Sequence, residues 1–391
     1  MNFILSDGTS RNALLPFTYT RPVADIRIGI LTIKEKWDKW LNTNCSYSTE
    51  GYLVKKFPIH IEVENIVINA SFLPNADLVA RIKELKLGEA ISSKGETIAY
   101  VTDSPKEEYI ASEYQIKNID DELFTIKNTW DIFAKNGAAI QADFDLLTKG
   151  RKGQPIPESN TAINSKHIFL EEGAVVECSI LNATTGPIYL GKNAEIMEGS
   201  IVRGALALCD NAILKMGTKI YGPCTFGPFC KVGGEVNNVV LFAYSNKGHE
   251  GFLGNSVLGE WCNIGADTNT SNLKNNYAPV RLWSYETEGF AKTGLQFCGL
   301  MMGDHSKCGI NTMFNTGTVI GVSANVFGSG FPRNFIPSYS WGGAAGFTEY
   351  KTNKAFETAT AMMGRRKVVF DATEQEILEE VFAQTAKWRN Y

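Results

Sequence analysis

The sequence predicts an α/β domain over residues 1–150, a parallel β-helix over residues 160–342 and a helical tail over residues 343–391. Three observations lead to this fold class. Apolar residues recur every six positions in the middle of the chain, strand and helix patterns alternate before residue 150, and a helix-capping pattern stands near the end. At 391 residues the chain is also too long for one ordinary hydrophobic core.

The first 150 residues alternate strand-like and helix-like segments. Strand patterns cover residues 3–5 and 61–69, and a helix pattern covers residues 29–41. Asn75 is placed to cap a further helix with apolar residues at helical spacing. Such alternation is typical of a layered sheet. The polar segment 149–160, rich in glycine and proline, marks the domain boundary.

The repeat in the middle of the chain has a period of six. Large apolar residues lie six positions apart: Leu190, Ile196, Val202, Leu208, Leu214, Ile220, Phe226 and Val232. A mostly small residue follows each by four positions: Ala194, Ser200, Leu206, Ala212, Thr218, Cys224, Cys230 and Val236. Six residues turn an α-helix by about 240°, so no helix keeps this period on one face. A triangular coil of three short strands does, with the large residue inward and the small one at the corner.

The six-residue register returns in residues 258–270 and 302–326, so we expect the coil to continue there. Between these blocks, residues 272–295 break the register and predict a loop that projects from one corner. Near the end of the chain, Thr373 and Glu376 form a capping box. We expect the helix that follows to cover the open last coil.

Composition narrows the class of partner. The net charge is -4 from 38 basic and 42 acidic residues, without a basic tract, so we expect no nucleic-acid partner. No apolar stretch approaches the roughly 20 residues that span a bilayer, and no signal-peptide pattern opens the sequence. We therefore expect a cytoplasmic protein without a membrane partner. The eight cysteines include no C-x-x-C pair and are interpreted as reduced thiols. Four of them fall on repeat positions and are interpreted as packing residues: Cys224, Cys230, Cys262 and Cys308.

The most specific motif is GHEGFLGNSVLGEWCNIGADTNTSN, residues 248–272. It resembles the acetyltransferase half of the bacterial bifunctional family that makes UDP-N-acetylglucosamine from glucosamine 1-phosphate. The resemblance implies a left-handed β-helix that uses acetyl-CoA to acetylate a sugar phosphate. His249 matches the family's general base, and histidine is suited to deprotonating an ammonium before nitrogen attacks a thioester. A structural, hydrogen-bonded histidine is the alternative.

The same resemblance assigns Asn263 and Asn272 to the sugar and the acetyl group, because amides bind carbonyls and hydroxyls. Phe252 stands where the family has a tyrosine and can stack on the substrate without hydrogen-bonding to phosphate. Asn237 or Asn238 replaces an expected basic residue. Other cations must then hold the phosphate, and the candidates are Lys274 and Arg281 on the inserted segment, and Lys219.

Residues 303–318 resemble the coils along which acetyl-CoA lies in the family, between the subunits of a trimer. The resemblance therefore implies a homotrimer. Exposed edges of parallel coils offer backbone groups to the pantetheine amides. The candidate cofactor-binding residues are Ala266, Gly309, Ile310, Ser329 and Gly330. His305 is a second candidate base on this side.

Residues 11–29 resemble a segment of the sugar-phosphate nucleotidyltransferases. The matching positions are Arg11, Pro16, Thr18 and Pro22. Gly8 alone replaces a multi-glycine phosphate cradle, and Asn69 stands where a magnesium-binding aspartate is expected. The candidate nucleotide-binding residues are Asp7, Gly8, Arg11 and Arg21, with Mg²⁺ as the candidate metal and its ligands unknown. A domain that only positions the β-helix is the alternative.

Together these features favour a transferase that acetylates a hexosamine 1-phosphate, glucosamine 1-phosphate by resemblance, with acetyl-CoA. Coupling of the product to UTP would then give UDP-N-acetylglucosamine. Two alternatives stay open: a nucleotidyltransferase for another sugar 1-phosphate with a structural β-helix, and a non-catalytic scaffold. A zinc hydratase needs about three converging histidines, and His167, His249 and His305 lack close spacing.

Overall fold

In a computed structural model that describes residues 2–105 and 110–391, the chain divides into two units. The first unit holds the residues up to Leu14, together with Thr18–Ile26 and Leu31–Asn128. The second unit holds Leu15–Phe17, Arg27–Ile30 and Thr129–Tyr391. No helix in the described ranges combines the length and apolarity needed to cross a membrane.

The first unit is built on a six-stranded mixed sheet. Its strands are β1 Asn2–Ser6, β2 Ser46–Ser48, β3 Asn65–Asn69, β4 Glu89–Ser93, β5 Glu96–Thr102 and β6 Gln115–Asn118. Their order is β2-β1-β3-β5-β4-β6. Strand β1 pairs in parallel with both neighbours, whereas β5 is antiparallel to β3 and β4. The α/β sheet predicted for this region is confirmed.

Among its described residues, this unit has two α-helices, α1 Ile33–Leu41 and α2 Ala76–Lys83. Helix α1 begins at a capping box between Thr32 and Glu35, which is why it starts later than the sequence pattern suggests. Asn75 caps α2, as predicted, by accepting a hydrogen bond from the Leu78 N–H. Both helix starts are therefore fixed by local side-chain chemistry.

The second unit contains a parallel β-helix with three faces. Strands of the first face are Thr161–Ile163, Ile180–Asn182, Ile201–Arg203 and Lys219–Tyr221. Strands of the second face are Ile168–Leu170, Ile188–Leu190, Leu206–Leu208, Cys224–Phe226, Leu300–Met302, Thr318–Ile320 and Phe335–Ile336. Strands of the third face are Val175–Val176, Glu195–Ile196, Ile213–Leu214, Lys231–Val232, Asn246–Lys247, Lys307–Cys308, Asn325–Val326 and Ser340–Gly343. A further parallel pair joins Asn269–Thr270 to Met313–Phe314.

The hexad residues form the interior of this β-helix. Every large apolar residue of the repeat between Leu190 and Val232 is at most 1% exposed. Burying each such side chain contributes about 2 kcal/mol. All eight cysteines are free, and all except Cys178 are buried. The six-residue period therefore follows from the inward packing of one large apolar residue on each face of the coil.

Two longer strands, Glu235–Leu241 and Phe252–Leu258, run through the corner between the first and second faces. The hexad register shifts before this corner, because the chain advances only four residues, rather than six, from Val232 to the next inward residue, Val236. One further residue is saved at the corner itself, where Leu241 pairs with Phe226. Val236, which the pattern placed in a small-residue slot, pairs with Ile220 and is fully buried. The shift explains why the repeat resumes out of phase.

The inserted segment forms an antiparallel hairpin of Arg281–Ser284 and Gly289–Lys292. The Trp283 ring stacks on Phe335 with centroids 4.1 Å apart, and Tyr285 meets Trp388 edge-on at 4.9 Å. The segment is thus packed through aromatic contacts, and the expectation of a loop that simply projects from a corner is corrected.

The α-helices described in the second unit are α3 Thr129–Ala134, α4 Asn136–Thr148, α5 Thr352–Gly364 and α6 Ala372–Gln384. A strand, Gly346–Glu349, pairs antiparallel with Ser340–Gly343. The N-cap of α6 is Asp371, whose carboxylate accepts from the Glu374 N–H at 2.9 Å. The predicted cap, Thr373, lies inside the first turn because an aspartate two residues earlier already serves the helix start.

Candidate functional site

The third face of the β-helix carries a polar ladder. Lys231 pairs with Asn246, Asn246 with Asn263, and Asn263 with Lys307, so these residues lie on successive coils. Each precedes an inward residue, in order Val232, Lys247, Ile264 and Cys308. Because side chains alternate across a strand, the ladder points away from the core.

A cavity of about 520 Å³ opens beside this ladder. Its walls include His249, Asn263, Ala266 and Ile310, which the sequence assigned to catalysis, substrate and cofactor. His249 is exposed and follows the strand Asn246–Lys247. Its imidazole is therefore accessible to a ligand in the cavity.

Lys247 lies inside the β-helix and fixes the segment that bears His249. Its side chain is buried, and its ammonium donates to the carbonyls of Gly233 at 3.2 Å, Glu250 at 3.1 Å and His249. Burial lowers the pKa of Lys247 to about 8. All three donors of this ammonium are used on backbone carbonyls, so the turn at His249 is tied to the coil beneath it.

One wall of the cavity is aromatic. Phe229, Tyr244, Trp261 and His305 stack in sequence, with centroid separations of 4.9, 4.2 and 6.4 Å. All four have positive φ, between 53° and 61°. Large residues rarely adopt this conformation. Tyr244 and Trp261 line the cavity, whereas His305, the second candidate base, is buried in the stack and does not line it within the described chain.

Four cations also line the cavity, and the sequence interpretation missed them: Lys215, Lys231, Arg365 and Arg366. Lys231 could have been found from the sequence, because it immediately precedes the inward hexad residue Val232 and so must face away from the core. Arg365 and Arg366 follow helix α5 and have no periodic relation to the coils. Only the tertiary fold brings them to His249.

The predicted residues Phe252 and Asn272 lie elsewhere on the β-helix. The Asn272 amide donates to Asn255 Oδ1 at 2.8 Å, and the Phe252 N–H donates to Asn269. A Cβ on Gly254 would meet both side chains at 2.6 Å, so the two lie together over that glycine. Neither is among the described residues that line the His249 cavity.

The cations nominated from the sequence also lie outside this cavity. Lys274 donates to the carbonyl of Pro279 at 3.3 Å, and Arg281 donates to that of Phe290. Lys219 forms an exposed ion pair with Glu250 at 3.6 Å. In the described chain, none of these three lines the cavity with His249.

The candidate cofactor residues separate into two groups. Ala266 and Ile310 line the cavity beside Gly265, where an added Cβ would lie 2.3 Å from the carbonyl oxygen of Gly309. Gly309 itself is engaged in the coil, with its N–H donating to Val326 at 2.8 Å. Ser329 and Gly330 lie exposed in the loop after Val326. Because the Gly309 backbone lies so close, no side chain fits at Gly265, and the backbone there is left uncovered in a narrow strip.

The first unit contains a separate cavity of about 960 Å³. Asp7, Gly8 and Arg11 line it, as does Asn69, whose Oδ1 would lie 2.7 Å from a Cβ on Gly8. Arg21 is buried beside Asp25 and is not among the described lining residues. Lys94 and Lys127 are further cations on the wall that the sequence interpretation did not name.

Asp7 is held by protein donors. One oxygen accepts from Arg11 at 2.7 Å and from Thr49 at 2.6 Å, and the other accepts from the Val23 N–H at 2.6 Å. Burial raises the pKa of Asp7, and the Arg11 guanidinium opposes that change. A magnesium ion would have to displace these partners, so Asp7 as arranged here does not fit a metal ligand. The described residues contain no cluster of three side chains suited to a metal.

Comparison with known proteins agrees with this two-part organisation. Residues 3–152 match the family model described as sugar nucleotidyl transferase. The chain is 26% identical over 255 residues to the bifunctional protein GlmU of Methanocaldococcus jannaschii, covering 62% of this chain and 52% of that protein. It is 26% identical over 143 residues to the uncharacterized acetyltransferase YaiX of Escherichia coli K12, covering 36% and 61% respectively.

A solved structure of the polySia specific acetyltransferase NeuO shares 12% identity, with a TM-score of 0.28, over 54% of this chain and 94% of that one. The matches to the two curated relatives span only 52% and 61% of their lengths. The chain is thus similar, at low identity, to bifunctional GlmU proteins, and its sugar nucleotidyl transferase-like region precedes a parallel β-helix.

Proposed function

We propose that the β-helix transfers an acetyl group from acetyl-CoA to the amino nitrogen of a hexosamine 1-phosphate, with glucosamine 1-phosphate as the first acceptor to test. The observation that carries this proposal is the single cavity lined by His249, Asn263, Ala266 and Ile310. A relative that bears the name acetyltransferase supports the reaction class.

In this reaction His249 takes a proton from the substrate ammonium. The neutral amine then attacks the thioester carbonyl, a nitrogen–carbon bond forms and the carbon–sulfur bond breaks. The coenzyme leaves as a thiolate and takes up the second proton, which the nitrogen loses as the amide forms, and His249 returns its proton to solvent. Exposure of His249 toward the cavity makes this proton transfer feasible, and a positioned histidine contributes about 10²–10⁴-fold to such a step.

The other groups would orient the two substrates. The Asn263 amide has both a donor and an acceptor for a sugar hydroxyl or the acetyl carbonyl. The backbone strip at Gly265 and Ala266, with Ile310 opposite, would accommodate the extended pantetheine arm. Lys247 would keep the backbone at His249 in one position while the amine approaches.

The His249→Ala variant tests the proposal. We expect at least 100-fold slower release of coenzyme A thiol when acetyl-CoA and glucosamine 1-phosphate are supplied, because the base is lost. His167→Ala is the control, since His167 lies on the same β-helix but outside the cavity wall. Undiminished turnover in the His249 variant would contradict the assignment of His249 as the general base.

A homotrimer forms part of this proposal, since the resemblance places acetyl-CoA between subunits. Light scattering on the full chain should give about three times the 43.1 kDa monomer mass. A monomer with full activity would contradict a site shared between subunits.

A second candidate function is nucleotidyl transfer from UTP to a sugar 1-phosphate in the first unit. It is supported by the sugar nucleotidyl transferase match over residues 3–152 and by the cavity lined by Arg11, Lys94 and Lys127. Pyrophosphate release from UTP and N-acetylglucosamine 1-phosphate tests it. Lys94→Ala should weaken UTP binding by about tenfold if this cation contacts phosphate. Absence of any nucleotide binding would contradict this second function and leave acetyl transfer by the β-helix as the proposed activity.

A further inference from the structure

The His249 cavity has a cationic end. Lys215 and Lys231 come from neighbouring coils of the third face, as the Lys215 N–H donates to the carbonyl of Val232 at 2.7 Å. Arg365 and Arg366 arrive from the end of α5. In the described part of the chain, these four residues form no ion pair with a carboxylate.

The four charges are close enough to influence one another. The pKa of Lys231 is lowered first by burial and then by the charges of Arg366, Lys215 and Arg365. Glu195 opposes this effect. Like charges in one partly enclosed space repel, and such an arrangement raises the local concentration of anions. The cluster is therefore electrostatically suited to an anionic ligand.

The geometry also favours phosphate over a simple monovalent anion. Arg366 is oriented by a hydrogen bond from Nη2 to Asn246 Oδ1 at 3.3 Å, on the same ladder that carries Asn263. A guanidinium binds two phosphate oxygens at once, whereas lysines act as point charges. Two arginines and two lysines around one space carry more positive charge than the roughly −2 of one phosphate group, and their N–H groups can donate to several phosphate oxygens.

We propose that Lys215, Lys231, Arg365 and Arg366 form a phosphate-binding subsite that holds the phosphate-bearing end of a substrate while its reacting end lies at His249. The role given to His249 rests on the proposed acetyl transfer, but binding of phosphate does not require turnover. The phosphate comes either from the acceptor sugar or from the coenzyme, and both present the same chemistry to these cations.

Calorimetric titration of the full chain with inorganic pyrophosphate tests the subsite. We expect saturable binding that weakens with added salt, and at least tenfold weaker binding in the Arg365→Ala/Arg366→Ala variant. Lys354→Ala is the matched control, because Lys354 lies on α5 but pairs with Glu357 outside the cavity. Circular dichroism checks that each variant is folded. Equal binding by the wild type and the double variant, or none by the wild type, overturns the proposal.

Competition then identifies the source of the phosphate. Displacement of pyrophosphate by coenzyme A but not by pantetheine assigns the subsite to the coenzyme. Displacement by glucosamine 1-phosphate but not by glucosamine assigns it to the acceptor. Failure of both phosphate-bearing ligands to displace pyrophosphate contradicts the proposal. Pyrophosphate binding without any acetyl transfer by the wild type would instead refute the proposed function and leave the subsite standing.

Discussion

Lys247 occupies an inward position that apolar or small residues fill in neighbouring coils. A buried ammonium is costly unless every proton is hydrogen-bonded, and here its acceptors are the carbonyls of Gly233, His249 and Glu250. Two of these carbonyls belong to the segment of the proposed base. The residue therefore connects the stability of the coil to the position of His249.

Replacing Lys247 with Met keeps the side-chain length but removes the ammonium. Buried carbonyls then lose their donor, so we expect the free energy of unfolding to fall by about 2 kcal/mol. Acetyl transfer should also fall, because the backbone at His249 loses its restraint. Urea denaturation and thiol release measure the two effects. The control is Lys192→Met, at an exposed coil position; a Lys247 variant as stable as this control would contradict the role.

The structure brings together three of the candidate site residues that the sequence took from one local motif. His249, Asn263 and Ala266 belong to one continuous segment, and the structure places them around one cavity. The cations could not be found in this way. Arg366 reaches Asn246 across 120 positions of sequence, and no periodic pattern relates a helix end to a coil face.

Helix α6 shows how a local signal can be assigned to the wrong residue. Both Asp371 and Thr373 are suitable N-caps, and Glu376 made Thr373 the apparent choice. In the structure Asp371 receives the Glu374 N–H, so the helix begins two residues before the predicted first turn. The pattern located the helix but not its first residue.

Asp371→Ala should therefore lower the free energy of local opening at the start of α6 by about 1 kcal/mol, because a first-turn N–H loses its acceptor. Thr373→Ala should change it by less than about 0.5 kcal/mol. Native-state hydrogen exchange of the α6 amides measures both. The reverse ranking of the two variants would show that Thr373 is the working cap.

The coils themselves were the most predictable elements, because each coil has three short faces and each face takes about six residues. The shift after Val232 was not predictable, since nothing in the hexads indicates that the next inward residue, Val236, follows after only four positions. Helix α5, Thr352–Gly364, lies in the predicted helical tail, but no sequence pattern located it individually. It is the element that delivers two of the four cavity cations.

At the scale of the whole molecule, the second unit contains buried thiols whose neutral form is favoured by burial. Burial raises the pKa of Cys224, Cys230 and Cys298 from 9.0 to about 12. The folded chain keeps these protons when the unfolded chain has lost them. The contribution to stability is thus complete below pH 9 and is lost as pH rises from 9 toward 12.

We expect the melting temperature to fall between pH 8.5 and about pH 10.5. A variant with Cys224, Cys230 and Cys298 all replaced by Ala should be less stable at pH 7, because cavities form, yet should show a shallower alkaline loss. Calorimetric scans across this pH range compare the two proteins. Parallel pH profiles would mean that other groups cause the alkaline loss.

The central claim is that acetyl transfer takes place in the His249 cavity. Its most direct test is a structure of the full chain with coenzyme A and glucosamine 1-phosphate bound. We predict the amino nitrogen within about 3.2 Å of a His249 ring nitrogen, with the pantetheine arm along Gly265 and Ala266. A sugar bound instead beside Phe252 and Asn272, away from His249, would contradict it.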